Sequence, residues 1–426
     1  MLGRRVPVDR LVRVTTETTG HDAVLELDAL RASVTSHLPA YLRDLECLVN
    51  IDCGSYTPEG VDEIGRWVSA YLEGMGADVD VRPDPTGRHG ATVVGTFDGT
   101  AGGPRVLLIG HMDTVFDPGT AAARPFRIDD GVAYGPGVTD MKSGLLAGLY
   151  ALRAILAGSR ELPFERLTFI ANPDEEIGSP TSSEHIRAAA ADADVALVLE
   201  CARANGDIVS SRKGILDTRI AINGRAAHAG VEPEKGRSAI LEAARVIREL
   251  HALNGRWQGV TVNVGKITGG TRPNVVAERC DLEVDVRSTT AEGLREVEAA
   301  IRDIAAANEV PDTTTEVEVR VGWLPMEKLE RSGRLVDHAK AIASQLGFDV
   351  NDTSTGGASD ANTTSGMGVP SLDGLGPIGG NDHSPAEYLD VDSIVPRTTL
   401  VAGLLLAIAR DPQVLAWRED DPRFQA

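Results

Sequence analysis

The sequence predicts an α/β protein of two domains, with the second inserted into the first. Three observations carry this. Strand-length apolar runs alternate with helical periodicity over residues 1–213, and the same alternation resumes over residues 327–426. Between them, residues 214–326 follow the order β-α-β-β-α-β, a complete small domain in itself. Finally, 426 residues with 42% apolar content exceed the roughly 250–300 residues that one core usually holds.

The elements follow in order. Over residues 26–75, apolar positions recur at helical spacing, first at Leu38, Tyr41, Leu42 and Leu45, then at Ile64, Val68, Tyr71 and Leu72, which predicts two helices. Residues 91–96, 106–109, 167–171 and 195–199 are short Val-, Leu- and Ile-rich runs of strand length, and residues 143–156 form a helical segment among them. In the inserted region, strands are predicted at 215–222, 260–267, 280–286 and 315–321, and helices at 237–253 and 291–308. A last helix is predicted at 398–409.

Composition narrows the function. The chain has 63 acidic against 42 basic residues, a formal charge of -21. That sign opposes binding to phosphates or anionic lipid headgroups, so no nucleic acid and no membrane is expected as a partner. Cys47, Cys53, Cys201 and Cys280 show no paired spacing, which argues for reduced thiols rather than a disulfide framework or thiolate zinc site. Arg4 and Arg5 are followed by Asp9, Arg10 and Arg13, which interrupt any apolar run of signal-peptide length. No run of about 18 apolar residues is evident elsewhere, and a cytoplasmic location is the expectation.

The chemistry-bearing residues follow strands, where α/β sheets place their sites. His111 and Asp113 stand directly after the run 106–109; an imidazole there can ligate a metal while a carboxylate two residues on accepts its other N–H. Alone, this His-x-Asp pair is a weak signal. Asp140 lies in the glycine-rich stretch Gly135-Pro136-Gly137-Val138-Thr139-Asp140-Met141-Lys142-Ser143-Gly144. It reads either as a helix N-cap or, with glycines permitting close backbone approach, as a residue aimed into the same cleft as His111.

Asp174, Glu175 and Glu176 follow the run 167–171, and three successive acids repel unless solvent or cations offset them. They read either as a solvated turn or, around metals, as ligand Glu176 beside general base Glu175. Glu200 closes an apolar run, where a carboxylate needs water, a partner or a metal. His383 lies in the loop Gly379-Gly380-Asn381-Asp382-His383. Two imidazoles and three carboxylates suit Zn²⁺ and, less well, Mn²⁺ or Co²⁺. Two dications against three carboxylates and one hydroxide make a neutral cluster, which favours a pair of metals.

The succession H-x-D, G-P-G-x-x-D-M-K-x-G, D-E-E-x-G-S, a Glu at a strand end and a late H-S resembles the M20 family of metallopeptidases, and within it the glutamate carboxypeptidase group. The segments 45–51, 225–230, 285–287 and 356–361 extend the resemblance over nearly the whole chain after about residue 40.

The resemblance implies a zinc-exopeptidase-like catalytic domain with a mixed sheet, and an inserted lid that also forms a homodimer interface. It implies that Asp140 bridges two zincs, one held by His111 and Glu200 and the other by Glu176 and His383. Glu175 would be the general base and acid, and Asp113 would orient His111. From the lid, His228 would stabilise the oxyanion, often in the partner subunit's site. Asn274 and Arg287, helped by backbone near Gly357, would hold the substrate's carboxylate.

The implied reaction is cleavage of the C-terminal amide of a peptide or N-acyl amino acid. The alternatives are an N-acyl-amino-acid deacylase of the same family and a non-catalytic metal-binding or ligand-binding relative. Glu200 leans away from the aminopeptidase-like members, which tend to carry Asp there. Glutamate-releasing members tend to have an arginine just after the lid, where this chain has Gly322-Trp323-Leu324-Pro325.

Overall fold

The computed structural model describes residues 20–158 and 162–421; the N-terminal stretch carrying Arg4, Arg5, Asp9, Arg10 and Arg13 lies outside them. A six-stranded mixed sheet forms the centre of the larger domain. Its spatial order is Asp78–Arg82, Thr92–Asp98, Arg166–Asn172, Arg105–His111, Val195–Val198 and Ser371–Leu372. The last four run parallel, and the first two pair antiparallel.

Both faces of this sheet are buried, which is why its strands read as continuous apolar runs. Val106, Leu108, Leu167 and Phe169 face one core, packed with the helices Gly20–Val49, Pro58–Gly74, Ser143–Gly158, Glu330–Leu346 and Ile394–Arg410. Leu107, Ile109, Ile170 and Val198 face a second core, with Ile186 and Ala190 of the helix Ser183–Ala191 and Ala361 of Asp360–Gly366. Ile394–Arg410 belongs to the one stretch among the described residues, Val391–Arg410, that is by length and mean hydropathy apolar enough to cross a membrane, although Asp392, Arg397, Thr398 and Thr399 interrupt its apolar run. Its apolarity has a packing cause: 72% of its 18-residue apolar window is buried, and the helix packs against Gly20–Val49, Ser143–Gly158 and Glu330–Leu346.

The register places the site. His111 pairs with Asn172, and Val198 pairs with Ile109, so three adjacent parallel strands end at the same level. The residues that follow them, including Glu175, Glu176 and Glu200, therefore emerge at one edge of the sheet.

A separate four-stranded antiparallel sheet is formed by Thr261–Gly269, Arg279–Ser288, Gly214–Asn223 and Thr314–Trp323, in that order. The helices Ala239–His251 and Ala291–Ala306 cover one face, burying Ile220, Leu282, Val246 and Val297 among others in a core of their own. Each helix starts where a hydroxyl can cap it: Ser238 accepts from Leu241 N, and Thr290 from Gly293 N. One end of the uncovered face, carrying Ile215, Asp217, Asp285, Arg287 and Trp323, lines a cleft shared with the large domain. The chain enters through Arg212 and returns through Met326, and Arg212 N donates to Met326 O, so the two crossings run side by side.

Elements invisible to periodicity complete the frame. Asp78–Arg82 is an exposed edge strand, and Asp352–Thr355 pairs in parallel with Ile208–Arg212. Short strands at Arg127–Asp129, Val132–Tyr134, Gly379–Gly380 and Tyr388–Asp390 form a further four-stranded sheet that supports the loop of His383. The four cysteines are free, with Cys47 exposed and the others buried.

Candidate metal centre

His111 is 1% exposed at the end of its strand. Its Nδ1 faces the backbone carbonyl of Asp113 at 3.0 Å, and the Asp113 Oδ1 atom lies farther away at 3.4 Å. Its Nε2 points to Asp140 Oδ1 at 3.2 Å and Glu200 Oε1 at 3.6 Å. His383, on a loop with a left-handed backbone (φ 61°), turns its Nε2 to Asp140 Oδ2 at 3.1 Å and Glu176 Oε2 at 3.0 Å. Each oxygen of Asp140 thus faces a different imidazole.

Two ligand groups result, His111-Asp140-Glu200 and Asp140-Glu176-His383, with the candidate ligand atoms of each lying within 4.8 Å of one another. This donor set, nitrogen and carboxylate oxygen around one shared carboxylate, fits two borderline divalent cations.

Asp140 is not an N-cap. Its backbone is non-helical (φ -112°, ψ 93°), and the regular helix begins at Ser143. Two glycines make this turn possible. Gly137 has φ 72°, and a Cβ on Gly144 would stand 1.8 Å from Leu199 O, so only glycine lets the helix approach the strand end that carries Glu200. Glu387 holds the turn from outside, accepting hydrogen bonds from the backbone N–H groups of Gly137, Thr139 and Asp140 at 2.9, 2.9 and 3.1 Å.

The repulsion within Asp174-Glu175-Glu176 is resolved by divergence. Asp174 turns inward and accepts from the Thr181 N–H and hydroxyl at 2.6 Å each. Glu175 and Glu176 face the cleft. Their N–H groups donate to the fully buried Asp113 carboxylate at 3.1 and 3.2 Å, and Ser55 donates to it at 2.6 Å. Asp113 therefore positions the acid pair with its side chain and His111 chiefly with its carbonyl. Asp113→Ala leaves one buried and one partly buried N–H group without acceptors, so a loss of about 2–4 kcal/mol in urea denaturation is expected; an unchanged midpoint would show that the anchor does not matter.

Electrostatics favour cations here. Burial opposes a charged His111 imidazole, yet the carboxylates of Glu200, Asp113 and Asp140 outweigh it and raise its pKa well above the ordinary value. Hydrogen bonds to Asp140 and Glu176 carry His383 up to about 11. Burial first, and the Glu200 charge second, raise Glu175 well above the usual carboxylate range. Without metal, the cluster recruits protons in place of dications.

The cluster opens into a cleft of about 600 Å³ between the two sheets. Asp140, Glu175, Glu176, Glu200 and His383 line it on one side, and Arg287 and Gly357 on the other. Arg287 is already engaged by Asp285, at 2.8 Å. His228 and Asn274 do not line this cleft. They lie exposed next to each other on the small domain, where Ala229 N donates to Asn274 O.

Residues that the sequence reading passed over also stand here. Arg212, 5% exposed, lines the cleft while its Nε donates to the buried Asp373 at 2.7 Å and its Nη1 to Gly357 O at 3.1 Å. The sequence around it, Ile208-Val209-Ser210-Ser211-Arg212, carries no comparable local signal, since two serines separate the charge from the apolar pair. Ser55 and Glu387 carried no local signal.

A family model described as "Peptidase family M20/M25/M40" matches residues 107–407. The chain is 31% identical to carboxypeptidase G2 of Pseudomonas sp. (strain RS-16) over 383 residues, 89% of this chain and 92% of that protein. It is 30% identical to the succinyl-diaminopimelate desuccinylase of Dechloromonas aromatica (strain RCB), over 83% of this chain and 95% of that one. Among solved structures, the aminopeptidase PepT of Bacillus cereus ATCC 10987 superposes with a TM-score of 0.71 at 25% identity, covering 88% of this chain and 99% of that one.

Proposed function

Because the chain belongs to peptidase family M20/M25/M40 and is a metal-dependent hydrolase, we propose that it holds two zinc ions and removes the C-terminal residue from a short peptide or N-acyl amino acid. The observation that carries this reading is Asp140, whose two oxygens face His111 and His383 separately. His111, Asp140 and Glu200 would hold one ion, and Asp140, Glu176 and His383 the other; Mn²⁺ or Co²⁺ would substitute. When bound, such a pair supplies a Lewis acid for the scissile carbonyl and makes hydroxide available near neutral pH.

The residues of the chain do the rest. Glu175, buried in the cleft wall, takes a proton from the attacking water and delivers it to the leaving amine. Asp113 keeps Glu175 and Glu176 in place through their N–H groups. Arg287, whose planar guanidinium suits a carboxylate, exchanges Asp285 for the substrate's terminal carboxylate, beside the backbone of Gly357.

His228 and Asn274 enter through a homodimer in this proposal, each serving the partner subunit's cleft. Supporting it, Thr261–Gly269 is an edge strand exposed along most of its length, with Ile267 52% exposed and Leu241 63% exposed nearby in the small domain.

The second reading, deacylation of an N-acyl amino acid, uses the same residues and is favoured by the similarity to the desuccinylase. A panel of dipeptides and N-acyl amino acids, assayed with zinc, tests both. Hydrolysis of amides that end in a free carboxylate is expected; turnover of acetylated or succinylated amino acids alone would select deacylation, and turnover of amides lacking the carboxylate would overturn the role of Arg287.

A further inference from the structure

Resting on the carboxypeptidase reading, the geometry points to a specificity seat: we infer that the released residue carries an apolar branched or aromatic side chain, lodged on Ile215 and Trp323 beside Arg287. The small sheet supplies the argument. Ile215 is the cross-strand partner of both Arg287 and Trp323, so the three occupy one row across three adjacent strands. Paired residues share a face of the sheet, and all three line the cleft over the metal ligands. Neighbouring strands are about 4.8 Å apart, so the strand of Ile215 lies one step and that of Trp323 two steps, about 10 Å, from the strand of the guanidinium. A residue whose carboxylate sits at Arg287 lays a leucine or phenylalanine side chain along that row.

The charges around the row oppose an acidic occupant. Asp217 pairs with Asp285 two residues along the same strands, and both carboxylates line the cleft on the same face. Arg287 neutralises Asp285, whereas Asp217 has no ion pair among the described residues. A glutamate side chain extended here would meet a carboxylate rather than a cation. The other cations of the cleft stand elsewhere: Arg212 is bound to Asp373, and Arg203 lies against Cys201 on the turn after Glu200. Trp323 is 8% exposed, so its ring forms a fixed wall. A wall of this kind discriminates by shape and apolar area, at about 10–200-fold per group gained or lost.

The test uses the zinc-loaded full-length protein and substrates with one N-acyl group and C-terminal leucine, phenylalanine, glutamate or lysine. The expected kcat/KM for leucine or phenylalanine exceeds that for glutamate and lysine by about 100-fold. Trp323→Arg is expected to remove that preference and raise glutamate turnover, while Trp323→Phe retains the preference. Calorimetry with the four free amino acids separates this inference from the reading beneath it. If no amide is hydrolysed but leucine and phenylalanine bind in preference, the seat stands and the hydrolysis reading fails. Preference for glutamate or lysine in either measurement, equal treatment of all four, or no binding at millimolar concentration overturns the seat.

Discussion

Glu175→Gln is expected to lower kcat by about 10³–10⁴-fold, with KM nearly unchanged and the full complement of metal retained. Retention is expected because Glu175 belongs to neither ligand group: the candidate ligand atoms around Asp140 come from His111, Glu200, Glu176 and His383. The fold is expected to survive because the residue is held by its backbone, through the N–H on Asp113 Oδ1 at 3.1 Å, and not by its carboxylate. Glutamine keeps the shape and burial of the side chain but cannot accept and return a proton. Kinetics together with elemental analysis of the same sample give the measurement. A variant with wild-type kcat would end the role of Glu175 as base, whatever its metal content.

Removal of metal by a chelator is expected to abolish hydrolysis, with zinc, manganese or cobalt restoring some of it. The arrangement of the ligands predicts an order of loss. His383 is 55% exposed in its side chain and sits on a loop, whereas His111 is 1% exposed at the end of a central strand. Competing chelator therefore withdraws the ion on the His383 side first. His383→Ala is expected to leave about one ion per chain, and Asp140→Ala to leave fewer still, because Asp140 alone belongs to both groups. The counts are read by elemental analysis after dialysis. Full activity in metal-free protein would remove the basis of the mechanism, and equal metal loss in the two variants would refute the bridging role of Asp140.

Much of the larger domain was legible because its signals are local. Strands such as Arg105–His111 and Arg166–Asn172 are buried on both faces, so they show as unbroken apolar runs wherever they pair. The amphipathic helix Pro58–Gly74 shows its core face at Val61, Ile64, Val68 and Leu72. The candidate ligand residues stood out for the same reason, as each sits within a few residues of a strand end or a glycine-rich turn. The edge strand Asp78–Arg82 and the short strands around Tyr388 were not, because their formation depends on partners far along the chain rather than on their own sequence.

Sequence alone thus determined the residue types of the site: two imidazoles, three carboxylates and a further acid, on an α/β frame. Tertiary structure decided how they are used. The separate facing of the two Asp140 oxygens needs a strand end 29 residues away in the chain, that of His111, and a loop 243 residues away, that of His383. The anchoring of the acid pair needs Asp113, from a neighbouring strand end, with Ser55 behind it. The row Trp323-Ile215-Arg287 exists only in one register of three strands, and a slip of one residue would turn Ile215 away from the cleft. Periodicities of 2 and 3.6 residues report which face of an element is buried; they carry no record of which distant acceptor meets a given N–H, and that pairing is settled when the sheets and helices pack.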